Sequence, residues 1–285
     1  MLKIGRFKVE PLTDGTFRLD GGAMFGVVPK ALWCRHHPAD ENNRIDLALG
    51  CLLVKTPKGH HVLVDTGLSD KYEQDAKFKK IYAVNRPSTL FDALKERGLT
   101  PEDIDVVINT HLHFDHCGGN TVRQDGHEKP TFPKAKYIIQ AAEWEDANHP
   151  HERNQASYLE ENFGCLQKAK LLELVDGEFE VEPGLKVLRS GGHTRGHQCA
   201  LVESEGQGVL FLGDLVPTRS HVPLPWIMGY DLYPMDTLEQ KRHLFKLARE
   251  RDWLLVFQHD PKQVMGHLRQ SDGREVLVPP TVLSK

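Results

Sequence analysis

The apolar positions of the chain follow two periods. Alternating or continuous apolar runs at 7–10, 17–19, 47–56, 62–65, 105–109, 136–140, 171–175, 179–181, 186–188, 200–202, 209–212 and 253–257 predict strands. The run 47–56 is nearly all apolar and is expected to be buried on both faces. Trp253 to Phe257 reads as the last buried strand. Asp14-Gly15 and Gly206-Gln207-Gly208 mark turns between strands. Helical spacing appears at Leu90, Phe91 and Leu94, opened by Pro87-Ser88 and ended by Gly98, and again over 141–147, 152–163 and 237–251. In the last of these, Leu238, Leu244-Phe245 and Leu247-Ala248 face inward. Residues 69–87 are charged and irregular, 123–133 are a polar excursion, and 216–235 are rich in Pro, Trp, Met and Tyr without a period. Nothing repeats and nothing is low in complexity.

The ends of several predicted strands carry the chemistry. After Val106-Val107-Ile108 comes Thr110-His111-Leu112-His113-Phe114-Asp115-His116-Cys117-Gly118-Gly119-Asn120, with four potential metal ligands within six residues. His111, His113 and Asp115 share one parity and can face a common pocket, whereas His116 breaks the alternation and can turn to a second point. Imidazole and carboxylate together suit zinc and neighbouring first-row metals. Cys117 reads as a small buried thiol, since the histidines and aspartates already supply the donors. His193, Asp214 and His259 each follow an apolar run. Taken singly, they would pass for a turn cap, a strand end and a surface histidine.

Two apolar stretches stand out among the loops. Gly21 to Trp33 is either a lid offering Met24, Phe25 and Trp33 to a substrate or a segment packed into the core. A second candidate wall lies at Pro225, Trp226, Met228 and Tyr230. His36 and His37 read as solvated.

His111-Leu112-His113-Phe114-Asp115-His116 resembles the HxHxDH signature of the metallo-β-lactamase-fold hydrolases. Gly192-His193-Thr194-Arg195-Gly196-His197, Phe211-Leu212-Gly213-Asp214 and Phe257-Gln258-His259-Asp260 follow in the order that family uses. The resemblance implies a four-layer αββα sandwich (α/β, α+β) as a single domain over 1–285. It also implies two divalent ions, with zinc expected. His111, His113 and His193 would hold one and Asp115, His116 and His259 the other, with Asp214 bridging. Asp65, ending the strand 62–65, would orient a ligand histidine, although by chemistry alone it could equally cap a turn. His197 would lie behind the ligands. A water shared by two such ions loses its proton near neutral pH and becomes the nucleophile, the ions polarise the bond under attack, and Asp115 could carry a proton to the leaving group.

The motifs are similar to those of the acyl-homoserine lactonases, which implies a small ester or lactone as substrate. Two departures are visible. Arg195 replaces a Pro frequent in the family, giving a cation near the pocket or only a surface charge. Pro217 stands where those lactonases carry a Tyr that contacts the carbonyl oxygen, and Tyr230 or His221 could supply a donor instead. Phosphotriester hydrolysis on the same site is the alternative, and a non-catalytic metal-binding protein is a third reading.

Composition narrows the partners. The 285 residues are 39% hydrophobic and 27% charged, with a net charge of −4 and no basic stripe, which fits a soluble protein acting on small molecules rather than nucleic acid. No apolar run approaches the ~20 residues of a membrane span, and the N-terminus lacks a signal-peptide pattern. Five scattered cysteines without a CxxC pair suggest reduced thiols in a cytoplasmic protein. A homodimer is compatible with all of this.

Overall fold

Strand parity builds the architecture in this computed structural model, which describes residues 1–72, 74–271 and 273–280. The last five positions of the expected 1–285 domain lie outside the described residues. Two seven-stranded sheets form. The first runs β1 (Leu2–Ile4), β2 (Phe7–Asp20), β3 (Arg44–Lys55), β4 (His61–Val64), β5 (Val106–Ile108), β8 (Lys136–Gln140), β9 (Leu172–Val175). The second runs in chain order from β10 (Phe179–Glu182) through β11 (Leu185–Arg189), β12 (Gln198–Ser204), β13 (Gln207–Phe211), β14 (Leu254–Val256) and β15 (Met265–Ser271) to β16 (Arg274–Val278).

Alternate residues of each strand face different layers. Val9, Leu52, Val54, Val62 and Val64 of the first sheet meet Val187, Ala200, Val202, Val209, Phe211 and Val256 of the second in one core. The intervening positions Leu201, Leu210 and Leu255 face the other way, onto Leu244, Phe245 and Ala248 of helix α8 (Pro234–Glu250). On the far side, Leu12, Cys51, Leu53 and Leu63 pack against Leu90, Ala93 and Leu94 of helix α4 (Leu90–Glu96). The result is the αββα sandwich. Each such buried Leu or Val contributes about 1.5–3 kcal/mol.

Several expectations change. The Asp14-Gly15 turn does not form. The chain runs straight through as one strand, with a register shift between Thr13 and Thr16 against β3. Asp14 turns inward there and accepts the amides of Leu68, Ser69 and Leu90, so its polarity serves three loop ends rather than a hairpin. The charged stretch 69–87 contains helix α3 (Ala76–Tyr82), capped by Asp75. The polar excursion after the metal loop is a hairpin of β6 (Thr121–Gln124) and β7 (His127–Pro130). Residues 152–163 are mostly turns, with a short 3-10 segment at Glu160–Asn162. Residues 21–33 hold two short helices, α1 (Gly21–Phe25) and α2 (Lys30–Trp33). The strand at Leu254–Val256 is followed by β15 and β16. Helix α8 begins at Pro234, earlier than expected, because proline is tolerated in a first helical turn. No helix among the described residues is long and apolar enough to cross a membrane.

Candidate metal centre

The parallel pairing of β4 with β5, and of β13 with β14, brings the ends of these strands to one rim. The segments that leave the rim carry the histidines and aspartates. Gly213 has φ +52, and a Cβ there would lie 2.7 Å from His197 Nε2; only glycine gives this tight exit before Asp214. Gly119 sits so close to the chain beyond β4 that a Cβ would lie 2.2 Å from the Thr66 carbonyl.

Three overlapping groups of donor atoms result, each within 4.8 Å: His111, His113 and His193; His111, His116 and Asp214; Asp115, His116 and His259. Asp214 faces two ways. Its Oδ2 is 3.3 Å from His193 Nε2, and its Oδ1 is 3.0 Å from His259 Nε2 and 3.5 Å from His116 Nε2. Asp115 Oδ2 lies 3.5 Å from His116 Nε2 and 3.6 Å from His259 Nε2. The Nε2 atoms of His111 and His113 are buried without a hydrogen-bonding partner. Buried polar atoms left unpaired are costly, so converging lone pairs of this kind fit a cation. The donor set is that of zinc and its neighbours.

A second ring of contacts aims the donors. Asp65 Oδ2 is 3.0 Å from His116 Nδ1, and the same carboxylate accepts the amide and hydroxyl of Thr110. His259 Nδ1 donates to the Ala48 carbonyl at 2.7 Å. His193 Nδ1 donates to Asp231 at 2.9 Å. His197 is occupied differently. Its Nε2 accepts the Asp214 amide at 3.0 Å, and its Nδ1 lies 2.6 Å from the Ser190 hydroxyl, so neither ring nitrogen is left for an ion. Glu143 joins two ligand loops by accepting from the Leu112 amide, the Thr194 hydroxyl and the Tyr158 hydroxyl. Asp231 and Glu143 were not singled out in the sequence. Asp231 lies in a stretch without period, and Glu143 looks like any polar residue of a short helix.

Burial pushes His111, His113 and His197 well below the usual histidine range, which keeps them neutral. In His116 burial acts the same way but is outweighed by the Asp115 and Asp214 carboxylates, which raise it. Burial would raise Asp214, yet His116, His259 and His193 hold it well below the carboxylate range.

Residues 51–259 match the profile of the metallo-beta-lactamase superfamily. The chain belongs to that superfamily. An N-acyl homoserine lactonase from a Bacillus species is 33% identical over 233 residues, 78% of this chain and 85% of the relative. A structure described as a probable metal-dependent hydrolase from Staphylococcus aureus superposes with a TM-score of 0.88 at 33% identity, covering 99% of this chain and all of the other. An N-acyl homoserine lactone hydrolase with N-hexanoyl-L-homoserine bound at its catalytic metal centre superposes with a TM-score of 0.69 at 25% identity, over 92% of this chain and 96% of that one. These likenesses put the chain on the lactonase-like branch of the superfamily's metal-dependent hydrolases.

In this superfamily member His113, Asp115, His193, Asp214 and His259 line the floor of a cavity of about 430 Å³, whose wall includes Leu19, Met24, Tyr82, Phe114, Met228 and Tyr230. Arg153 and Asn154 stand on the same wall. Of the expected pocket residues, Met24 and Tyr230 line it, while Phe25, Trp33, His221 and Trp226 do not. Phe25 and Trp33 are core residues, with rings stacked at 5.3 Å, and His221 stacks on the other side of Phe25 at 4.6 Å. His221 Nε2 donates to the Met24 carbonyl, its Nδ1 pairs with the Thr218 hydroxyl, and burial pushes it down to about 3. Trp226 meets the edge of Phe25. His37 is buried on Ser220 rather than solvated. Arg195 pairs with Asp146 on the surface and is absent from the cavity wall.

Proposed function

We propose that this protein is a dinuclear metal-dependent hydrolase acting on a small, largely neutral lactone or ester, with an acyl lactone bearing an apolar tail as the substrate class. The observation that carries the reading is the double facing of Asp214, one oxygen toward His193 and the other toward His116 and His259. One carboxylate thereby spans two ligand groups at the floor of a single cavity.

His111, His113 and His193 would hold one ion, and Asp115, His116 and His259 the other, with zinc the ion this donor set suits. When bound, the two ions supply Lewis acidity toward the carbonyl and lower the pKa of a coordinated water. The chain's own residues set the rest of the reaction. Asp65, Asp231 and the Ala48 carbonyl hold the Nδ1 sides of His116, His193 and His259, so that the Nε2 sides face the Asp214 carboxylate. Asp115 lines the cavity and is the group that would pass a proton to the leaving alkoxide. Leu19, Met24, Phe114, Met228 and Leu232 offer an apolar wall to an acyl chain and exclude water. Tyr230 is the donor assigned to the carbonyl oxygen in place of the phenol missing at Pro217. His221 is not, because both of its ring nitrogens are engaged. The lactonase relatives and the product-bound relative support a lactone over other acyl substrates.

The test is elemental analysis together with a hydrolysis panel of acyl lactones of graded chain length, aryl esters and phosphotriesters. The expected result is two metal ions per chain and the highest kcat/KM on a lactone. Full metal occupancy with no lactone or ester turnover would reject the proposal.

A further inference from the structure

Two inward positions of helix α8 are not apolar, Thr237 and Lys241. Lys241 is 0% exposed, on the helix that buries Leu244, Phe245 and Ala248. Its Nζ donates to four main-chain carbonyls: His221 at 2.7 Å, Pro223 and Trp226 at 2.9 Å, and Leu224 at 3.2 Å. Among the described residues, no carboxylate lies within ion-pair distance of it. An ammonium has three N–H donors, so four carbonyls saturate it and the longest contact is shared. A buried ammonium is costly unless its donors are met. The arrangement is therefore favourable only when the loop follows this one path.

That loop has no regular structure between His221 and Pro234, and its next residues are cavity wall. Met228, Gly229 and Tyr230 line the cavity, and the Gly229 amide donates to the Ala23 carbonyl at 2.7 Å. Met24, the neighbour of Ala23, accepts from His221 through its carbonyl. The lysine thus sits behind the wall, touching the loop and not the cavity.

We propose that Lys241 is a positioning residue for substrate selection: by gathering the carbonyls of His221, Pro223, Leu224 and Trp226, it sets the path of the loop that presents Met228, Gly229 and Tyr230 to the substrate. The proposal rests on the reading that this cavity takes the substrate. Its mechanical half, the clasp itself, can be tested without turnover.

Lys241→Met keeps the stem and removes the charge and every donor. Lys241→Gln restores two donors at shorter reach. Each purified variant is compared with the metal-loaded wild type for metal content, for hydrogen exchange by peptide, and for kcat and KM on acyl lactones of graded length. The expected result is unchanged metal content and exchange faster by roughly ten-fold or more, confined to peptides covering 222–231. KM should rise roughly ten-fold with chain-length preference flattened, and kcat should fall as well, by no more than the roughly hundred-fold expected from losing the Tyr230 hydroxyl. Lys241→Gln should fall between the wild type and Lys241→Met. Unchanged exchange over 222–231, or unchanged KM and preference, would overturn the proposal. So would failure of both variants to fold, or exchange accelerated over the whole chain, because Lys241 would then be a core residue alone. If the wild type hydrolyses none of the lactones, the functional reading fails while the exchange data still judge the clasp.

Discussion

Asp231 holds His193 from behind: its Oδ1 accepts from His193 Nδ1 at 2.9 Å, and its Oδ2 accepts from the Thr237 hydroxyl at 2.8 Å. Thr237 belongs to the first turns of α8, so the helix that covers the second sheet also aims a donor of the metal centre. Asp231→Ala removes that support without touching the donor atoms. Metal affinity of the group containing His193 is expected to fall roughly 10–100-fold, read by competition with a chelator. Affinity unchanged within about two-fold would mean that the packing around His193 suffices to orient it.

The two faces of Asp214 predict a shared loss. Asp214→Ala should lower occupancy of both ions, whereas His259→Ala should mainly empty the group of Asp115 and His116, and His193→Ala the group of His111 and His113. Anomalous scattering from crystals of the three variants separates the cases. Equal loss at both positions in every variant would contradict the partition.

Phe25 ends α1 and Tyr230 lies in the loop before α8, and the two should behave differently. Phe25 is 0% exposed between Trp33 and His221, so Phe25→Ala is expected to cost about 3–5 kcal/mol of stability and leave substrate preference intact. Tyr230 lines the cavity, so Tyr230→Phe should lower kcat roughly a hundred-fold on lactones with metal content and melting temperature unchanged. Denaturant unfolding and steady-state kinetics read the two effects. A Tyr230→Phe enzyme with full kcat would remove Tyr230 from the reaction.

The histidines of the metal-free protein should give it a stability maximum near pH 6.5, their ordinary value. Burial lowers His111, His113 and His197. As pH falls below 6.5, the unfolded chain therefore takes up protons that the folded one refuses, and stability drops. In His193, as in His116, burial is outweighed by neighbouring carboxylates, here Asp214 and Asp231. The stability these two contribute is complete below 6.5 and is lost as pH rises through their raised values. Adding zinc should abolish the alkaline decline, since the ion takes the place of the protons. Melting temperatures across about pH 5–9, with and without metal, test this. A flat metal-free profile would refute it.

The sequence by itself determined which donors would gather and on what scaffold. His111, His113, Asp115 and His116 are almost contiguous, and His193, Asp214 and His259 each follow an apolar run that must be buried. Periodicity predicts buried strands ending at these residues, and the resemblance of the four motifs, in their order, to the metallo-β-lactamase pattern is what implied the sandwich and joined the distant donors to the near ones. Only the tertiary structure decided what stands around them. Residues 216–233 have no period, and their course depends on a lysine from α8, a carbonyl from α1 and stacking on Phe25. For the same reason Phe25, Trp33 and His221 turned out to be packing, while Tyr82 and Tyr230 reached the cavity. The continuation of β2 through Asp14-Gly15 has a similar cause. A local turn signal is worth little against the pairing with β3 on both sides of the register shift, and the buried Asp14 carboxylate finds its acceptor role in three distant amides. Short-range pattern specifies which face of an element is buried, but the course of an irregular loop is set by long-range partners that no window of sequence contains.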